Sequence, residues 1–328
     1  MTARIGIDLG GSKISGVVLT THGRELARLR AATPRQDYAA TVSAIAALVA
    51  QLEAAAGLEP ASSPVGIGTP GSWQPRLRRM KNCNSTWLND RPLLHDLDCA
   101  MGNRVRIAND ADCLALSEAA DGAAAGAASV FGVILGTGVG GALVVGGRLL
   151  AGSNGLTGEW GHVPMPYLRQ EPFVVPRPAD QGRFQLESRL NDRPCYCGRM
   201  NCNETFLSGP GLAATVAELG TPSRSIEELA RAQDPEADSM WDLYAHMLAR
   251  SLAQVVNLID PGVVVVGGGL SNVTRLYPML EAQIPRYAFT SARGTAGSEP
   301  DDIQVSVRPA RWGDDSGVRG AARLWADT

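Results

Sequence analysis

Ile5-Gly6-Ile7-Asp8-Leu9-Gly10-Gly11-Ser12-Lys13, running on into the apolar stretch Ile14 to Leu19, returns later in the chain. The second copy is Phe131-Gly132-Val133-Ile134-Leu135-Gly136-Thr137-Gly138, running on into Val139 to Val145. Gly6 lies over Gly132, Leu9 over Leu135, Gly10 over Gly136 and Gly16 over Ala142, at an offset of 126 residues. The next turn repeats too, Gly23-Arg24 against Gly147-Arg148. Each copy reads as strand, tight glycine turn, strand. Turns of this kind point successive backbone N–H groups into one concavity, which suits an anion. A chain that carries the device twice is expected to be a duplicated domain whose halves grip a polyphosphate.

Working outward, strands and helices alternate. Val42, Ile45, Val49 and Leu52 recur at helical spacing within Tyr38 to Ala56. Pro64 to Gly68 reads as a strand meeting the turn Thr69-Pro70-Gly71, and Val105 to Ala108 as a strand ending at Asn109-Asp110. Ala111 to Ala119 is the following helix, with Asn109 or Asp110 placed to cap it. Gly152 to Pro194 looks irregular. Trp241, Tyr244, Leu248, Leu252, Val255 and Ile259 form one apolar stripe on a helix predicted over Asp238 to Ile259. Val263 to Val266 reads as a buried strand before Gly267-Gly268-Gly269, and Asp314-Asp315-Ser316 as the cap of a helix over Gly317 to Trp325. This alternation, with the duplicated hairpin, predicts an α/β fold of two related halves.

The bulk properties narrow the function. A chain of 328 residues with 45% apolar and 19% charged residues has a globular composition and room for one large or two ordinary domains. A net charge of −3 and a pI near 5.9 argue against a nucleic-acid partner. The basic cluster Arg76, Arg78, Arg79 and Lys81 reads as a solvated loop. The uncharged run from Gly122 to Gly147 is long enough to span a bilayer, but it holds nine glycines and repeats the hairpin, so no membrane partner is expected. The first strand starts at once after Met1, so no signal peptide is expected and the protein is placed in the cytoplasm. Six cysteines in that reducing setting favour metal or free thiols over disulfides.

Three constellations carry chemistry. Asp8, flanked by glycine turns, can hold Mg²⁺ through water while the backbone faces phosphate. Gly136-x-Gly138-x-x-Gly141 with Glu159 downstream also fits a dinucleotide fingerprint, but that needs a helix after the glycines, where a strand is expected. Asp110, at a strand-to-helix junction, is the candidate general base, placed to take a hydroxyl proton during phosphoryl transfer. Cys195-x-Cys197-x₄-Cys202 with His162 supplies three thiolates and an imidazole, the donor set of a closed, structural Zn²⁺ site. Such a zinc would fix Glu159, three residues before His162, and Glu204, two after Cys202. Paired carboxylates suit sugar hydroxyls. They also suit a glycosidase, which has no use for two phosphate turns.

At these residues the chain resembles the ROK family of sugar kinases and repressors. Asp8-Leu9-Gly10-Gly11-Ser12-Lys13 is similar to the family's first phosphate turn and Leu135-Gly136-Thr137-Gly138-Val139-Gly140-Gly141 to its second. Gly158-Glu159-Trp160-Gly161-His162 and Cys195-Tyr196-Cys197-Gly198-Arg199-Met200-Asn201-Cys202-Asn203-Glu204 resemble its sugar and zinc signature. Asn82 to Asn89, Asp121 to Gly126, Gly267 to Val273 and Gly313 to Ala322 resemble the bacterial fructokinase (mannofructokinase) branch. The resemblance runs essentially from end to end.

It implies a duplicated actin/hexokinase-like (ribonuclease H-like) two-domain α/β fold with a cleft, divided as 1–108 plus 313–328 against 109–312. It implies an ATP-dependent hexose kinase with Mg²⁺, most readily a fructokinase forming fructose 6-phosphate, with Asp110 as base. N-acetylglucosamine kinase and glucokinase or mannokinase are the alternatives within the class. A sugar-responsive repressor is the alternative of another class, and no DNA-binding segment precedes the first strand. The sugar would be held by Gly71, Asn84, Asn109, Glu159, His162 and Glu204. The nucleotide would be held by Gly6, Asp8, Gly10, Gly11, Ser12 and Lys13, by Gly136, Thr137, Gly138, Gly140 and Gly141, and on its adenine side by Gly267, Gly268 and Gly269. His162, Cys195, Cys197 and Cys202 would bind structural Zn²⁺. The partners are a hexose, no nucleic acid and no membrane, with a homodimer compatible. The chain departs from the family at Ser12, where Thr is usual, at Asn203, where an apolar residue is common, and in a long segment from Tyr167 to Pro194.

Overall fold

The computed structural model describes residues 3–169, 178–220, 224–289 and 303–325. The strands β1 Ala3–Leu9, β2 Lys13–Thr20, β3 Glu25–Ala32, β4 Val65–Thr69, β5 Ser72–Gln74, β6 Arg79–Lys81 and β7 Val105–Asn109 come first. Five of them form one sheet in the order β3-β2-β1-β4-β7, while β5 and β6 make a small hairpin. Strands β8 Ser129–Leu135, β9 Val139–Val145, β10 Arg148–Leu149, β11 Val263–Gly267 and β12 Val307–Pro309 form a second sheet in the order β10-β9-β8-β11-β12. The two orders are the same permutation. In the first sheet β1 runs antiparallel to β2 and parallel to β4, and β4 runs parallel to β7. In the second, β10 is antiparallel to β9 and β11 parallel to β12. The fold is thus the duplicated α/β fold that the repeated hairpin predicts, with the actin/hexokinase-like architecture that the family resemblance implies.

The helices are α1 Tyr38–Ala55, α2 Leu93–Met101, α3 Asp110–Asp121, α4 Pro178–Glu187, α5 Glu204–Leu207, α6 Gly209–Glu218, α7 Ile226–Arg231, α8 Pro235–Ile259, α9 Leu276–Tyr287 and α10 Ser316–Arg323. Helix α8 starts three residues before its predicted first residue because Asp234 caps it, its side chain accepting from the Ala237 N–H. Helix α4 forms inside the stretch expected to be irregular. Its last residue, Glu187, is buried and pairs with the buried Arg250 of α8 at 2.9 Å, a long-range contact that no local pattern announces. Part of the long segment, residues 170–177, lies outside the described residues.

Packing divides the chain into two compact units, Met1–Gly132 with Ala142–Thr157 and Ala310–Thr328, and Val133–Gly141 with Gly158–Pro309. The packing division places residues 109–132 and 142–157, expected in the second domain, in the first unit. The reason is α3. It lies so close along α10 that a Cβ on Gly320 would fall 1.6 Å from the Cys113 carbonyl oxygen.

In the first unit, Ile5, Ile7 and Leu9 alternate on one face of β1, fully or almost fully buried, and join Ile45, Leu48 and Leu52 of α1 in one core. On the opposite face, glycines make room for α10. Gly6 and Gly66 are cross-strand partners, and Cβ atoms there would sit 2.1 Å from the Val318 carbonyl and 1.8 Å from the Ala321 carbonyl of α10. Among the described residues, α1 is the helix long and apolar enough to cross a membrane by length and composition; its Ile45, Leu48, Val49 and Leu52 are buried in this core.

Candidate active site and metal centre

In the first unit the C-terminal ends of three adjacent parallel strands converge: Asp8 near the end of β1, Thr69 of β4 and Asn109 of β7. Ligands of parallel sheets gather at such ends. Asn109 caps α3, its Oδ1 accepting from the Asp112 N–H at 2.6 Å while Asp112 Oδ2 accepts from the Asn109 N–H at 3.3 Å. Capping thus falls to Asn109, and Asp110 occupies the first helical position, one oxygen accepting from the Ala111 N–H at 2.8 Å.

Asp8 is the most perturbed carboxylate here. Burial first, then the charge of Asp110 and that of Asp314, push its pKa up to about 6, with Lys13 opposing them. A carboxyl surrounded by acids in a half-dry place favours a cation among them. The N-terminal turn of α10 adjoins it, since a Cβ on Gly317 would lie 3.5 Å from the Asp8 carboxyl. Gly10, Gly11 and Ser12 link β1 to β2; Gly11, Ser12 and Lys13 are exposed, and Gly10 donates to the Lys13 carbonyl at 3.0 Å.

Gly6, expected on the nucleotide, is buried beneath α10. The cap expected from Asp314-Asp315-Ser316 does not form. Asp315 pairs with Arg28 at 2.7 Å, Ser316 donates to the buried Glu118 at 2.9 Å, and the charge of Asp314 bears on Asp8. Gly71 packs against Cys83, whose Sγ would lie 2.5 Å from an added Cβ. The exposed Asn84 lies close by, its N–H donating to the Pro70 carbonyl at 3.3 Å.

In the second unit a 3₁₀ turn, Glu159–His162, follows Gly158. His162 Nδ1 lies 3.5 Å from Cys195 Sγ, and Cys197 Sγ lies 3.6 Å from Cys202 Sγ. The four ligand atoms all fall within 4.8 Å of one another. A tetrahedral zinc with sulfur bonds of about 2.3 Å needs edges of about 3.7 Å between thiolates, so the donors fit Zn²⁺ in number, chemistry and spacing. The remaining imidazole nitrogen, Nε2, sits 2.9 Å from the Tyr196 hydroxyl, which fixes the ring from outside. Burial, then neighbouring thiols, push Cys202 up to about 12, so metal uptake must release protons.

Glu204, first residue of α5, reaches the second glycine turn: its Oε2 accepts from the Val139 N–H at 3.0 Å. Burial first, then the charges of Glu204 and Glu159, raise the Tyr196 phenol above its ordinary value. Gly136 accepts from the Gly209 N–H at 2.7 Å, and Thr137 is exposed at the tip of the turn. Gly140 and Gly141 serve Trp160. The indole donates to the Gly140 carbonyl at 2.9 Å, and a Cβ on Gly141 would strike the ring at 2.5 Å. Gly267 ends β11. Gly268, at φ +83°, turns the chain against the Leu135 backbone, and a Cβ on Gly269 would meet open space. Sequence reasoning missed Asp314 and Gly317 beside Asp8, Tyr196 on His162, and Trp160 behind the second turn.

Residues 4–328 match the ROK family. N-acetyl-D-glucosamine kinase of Salmonella paratyphi B is 34% identical over 324 residues, covering 97% of this chain and 98% of that protein. Among solved structures, the ROK hexokinase from Thermus thermophilus is 30% identical with a TM-score of 0.77, covering 98% of this chain and 97% of that one. A ROK family glucokinase from Streptomyces griseus, in complex with glucose and AMPPNP, is 26% identical with a TM-score of 0.68 and 98% coverage of each chain. With its duplicated sheets, its strand-end carboxylates and likeness to kinases along its whole length, the chain belongs to the ROK family and is an ATP-dependent sugar kinase of that family.

Proposed function

We propose that the protein phosphorylates N-acetyl-D-glucosamine on its 6-hydroxyl with ATP. One observation carries the choice of sugar: a relative 34% identical over nearly the whole chain is named for that substrate. Fructose, the leading expectation from the motifs, therefore gives way to what was its alternative.

In this proposal Asp110 takes the proton from the 6-hydroxyl as its oxygen bonds to the γ-phosphorus and the bond from that phosphorus to the β,γ-bridging oxygen breaks. Its place at the end of β7 and the start of α3 supports the role, with one oxygen oriented by the Ala111 N–H. Asp8 would hold Mg²⁺ through water, beside the charges of Asp110 and Asp314. Bound Mg²⁺ supplies neutralisation of charge on the phosphate oxygens. N–H groups of the turns Gly10 to Lys13 and Gly136 to Gly138 would receive phosphate oxygens, with Gly269 on the adenine side. Asn84, Asn109, Glu159, His162 and Glu204 would bind sugar hydroxyls. Zn²⁺ on His162, Cys195, Cys197 and Cys202 would be architectural, because four protein ligands leave no open position. The site of action would be the cytoplasm.

A coupled ADP-release assay across N-acetylglucosamine, fructose, glucose and mannose tests this. The highest kcat/KM is expected for N-acetylglucosamine. A higher value for fructose would return the chain to the fructokinase reading.

A further inference from the structure

Asn203 is 1% exposed, placed between the zinc-site cysteine Cys202 and Glu204. A buried amide costs free energy unless its polar ends are bonded. Both ends are. Its Nδ2 donates to the Trp160 carbonyl at 2.9 Å, and its Oδ1 accepts from the Ser251 hydroxyl of α8 at 2.9 Å. Its backbone N–H donates to the Val163 carbonyl at 2.9 Å, and its own carbonyl receives the N–H groups of Phe206 and Leu207. Three segments meet on this one residue: the turn carrying Glu159 and His162, the helix carrying Glu204, and the core helix α8.

The linkage continues to the second glycine turn. Trp160, whose carbonyl Asn203 holds, donates its indole N–H to Gly140, and Glu204, the next residue along, accepts from Val139. An apolar side chain of the same volume would fill the space without a directional bond to Trp160. Hydrogen bonds of this kind fix relative placement more than they add stability, since each replaces a bond to water.

We propose that Asn203 is a positioning residue for sugar binding: through Trp160 it sets the distance and orientation of the Glu159–His162 turn relative to Glu204. The proposal rests on the kinase reading above and on those residues contacting the sugar. It does not depend on which hexose is preferred.

The test uses the full-length, zinc-loaded protein and whichever hexose the wild type turns over best. Three variants are compared: Asn203→Leu, which fills the space and removes both bonds; Asn203→Asp, which keeps the acceptor for Ser251 but removes the donor to Trp160; and Ser251→Ala, which leaves the Trp160 bond intact. Asn203→Leu and Asn203→Asp should each raise KM for the sugar about tenfold, while KM for ATP stays within about twofold and zinc stays at one per chain. Ser251→Ala should shift the same constant by less than about threefold, and adding it to Asn203→Leu should do no further harm, as expected for coupled sites. Unchanged sugar KM in the Asn203 variants overturns the proposal. So does a loss of melting temperature with kcat lowered and both KM values raised together, which marks a purely structural residue. If Asn203→Leu does not fold, Asn203→Asp and Ser251→Ala decide by the same split. A wild type that phosphorylates no sugar defeats the kinase reading instead, before any variant is compared.

Discussion

The two glycine turns are alike in length and in place, each joining the first and second strands of its sheet, and they differ in what stands behind them. The first, Gly10 to Ser12, is backed by acids. Asp8 lies at its root, with Asp110 and Asp314 near enough to raise that carboxyl to about 6. The second, Gly136 to Gly138, is fastened to protein on both sides: Glu204 accepts from Val139, and Gly209 donates to Gly136. Duplication supplied one backbone device twice, and the later residues specialised it. The first copy stands among the carboxylates of Asp8, Asp110 and Asp314, and the second is tied down by Glu204 and Gly209.

The sharpest break between the two is expected at Asp110. Asp110→Asn should lower kcat by about 10²–10⁴, with KM for sugar and for ATP changed little, because the amide keeps the shape and loses the proton acceptor. Wild-type turnover in steady-state assays would remove the base from the first unit. On the second unit the largest effect is expected at the metal. Cys197→Ser should lose stoichiometric zinc by metal analysis and melt roughly 5–10 °C lower, as the loss of a few kcal/mol implies. Full zinc at an unchanged melting temperature would exclude Cys197 from the ligand set.

Asp8→Asn sharpens the contrast by separating stability from activity. A carboxyl raised from 3.8 to about 6 opposes the folded state wherever it is ionised. Without Mg²⁺, the variant should therefore be more stable than wild type above pH 6, by at most about 3 kcal/mol. The gain should shrink as pH falls from 6 and vanish below about 4, where both states are protonated. Its activity should fall despite the gain. Denaturant unfolding at pH 7.5 and pH 4 reads the sign, and a less stable variant at pH 7.5 would show that Asp8 is not held at a cost.

The smallest effect expected is within the first hairpin. Gly6→Ala should destabilise by about 1–3 kcal/mol, since α10 must shift, while Gly11→Ala, whose Cβ would meet only Ser85 Oγ at 3.5 Å, should stay within about 1 kcal/mol of wild type. Equal losses at the two positions would erase the distinction between a packing glycine and a turn glycine.

Much of this was legible in the sequence where the chemistry is local. The repeated strand–turn–strand announced the duplicated sheets, and the cysteine spacing with His162 announced the cluster of four donor atoms. The strand-end position of Asn109-Asp110 held as well, with the cap resolved onto Asn109. What stayed hidden depends on partners far along the chain. Nothing in the local pattern tells that α10 packs against Gly6, or that one oxygen of Glu204 accepts from the Val139 N–H at 3.0 Å. Asp314 read as a cap because capping is a local pattern, whereas its charge on Asp8 is tertiary. Helix α4 escaped notice because its anchor, Glu187 on Arg250, is 63 residues away in sequence.

The glycine face under α10 also bears on how the chain is made. Gly6 and Gly66 leave the central strands of the first sheet bare on one side, and the atoms that cover them belong to Val318, Ala321 and Ala322. Glu118 is tied to the same late segment, accepting from the N–H groups of Arg311 and Trp312. During synthesis the first sheet therefore emerges early and waits, one face uncovered, for nearly all of the chain to be translated. That interval exposes β1 and β4 to wrong partners, so a chaperone's hold on the nascent first unit should matter most before α10 leaves the ribosome.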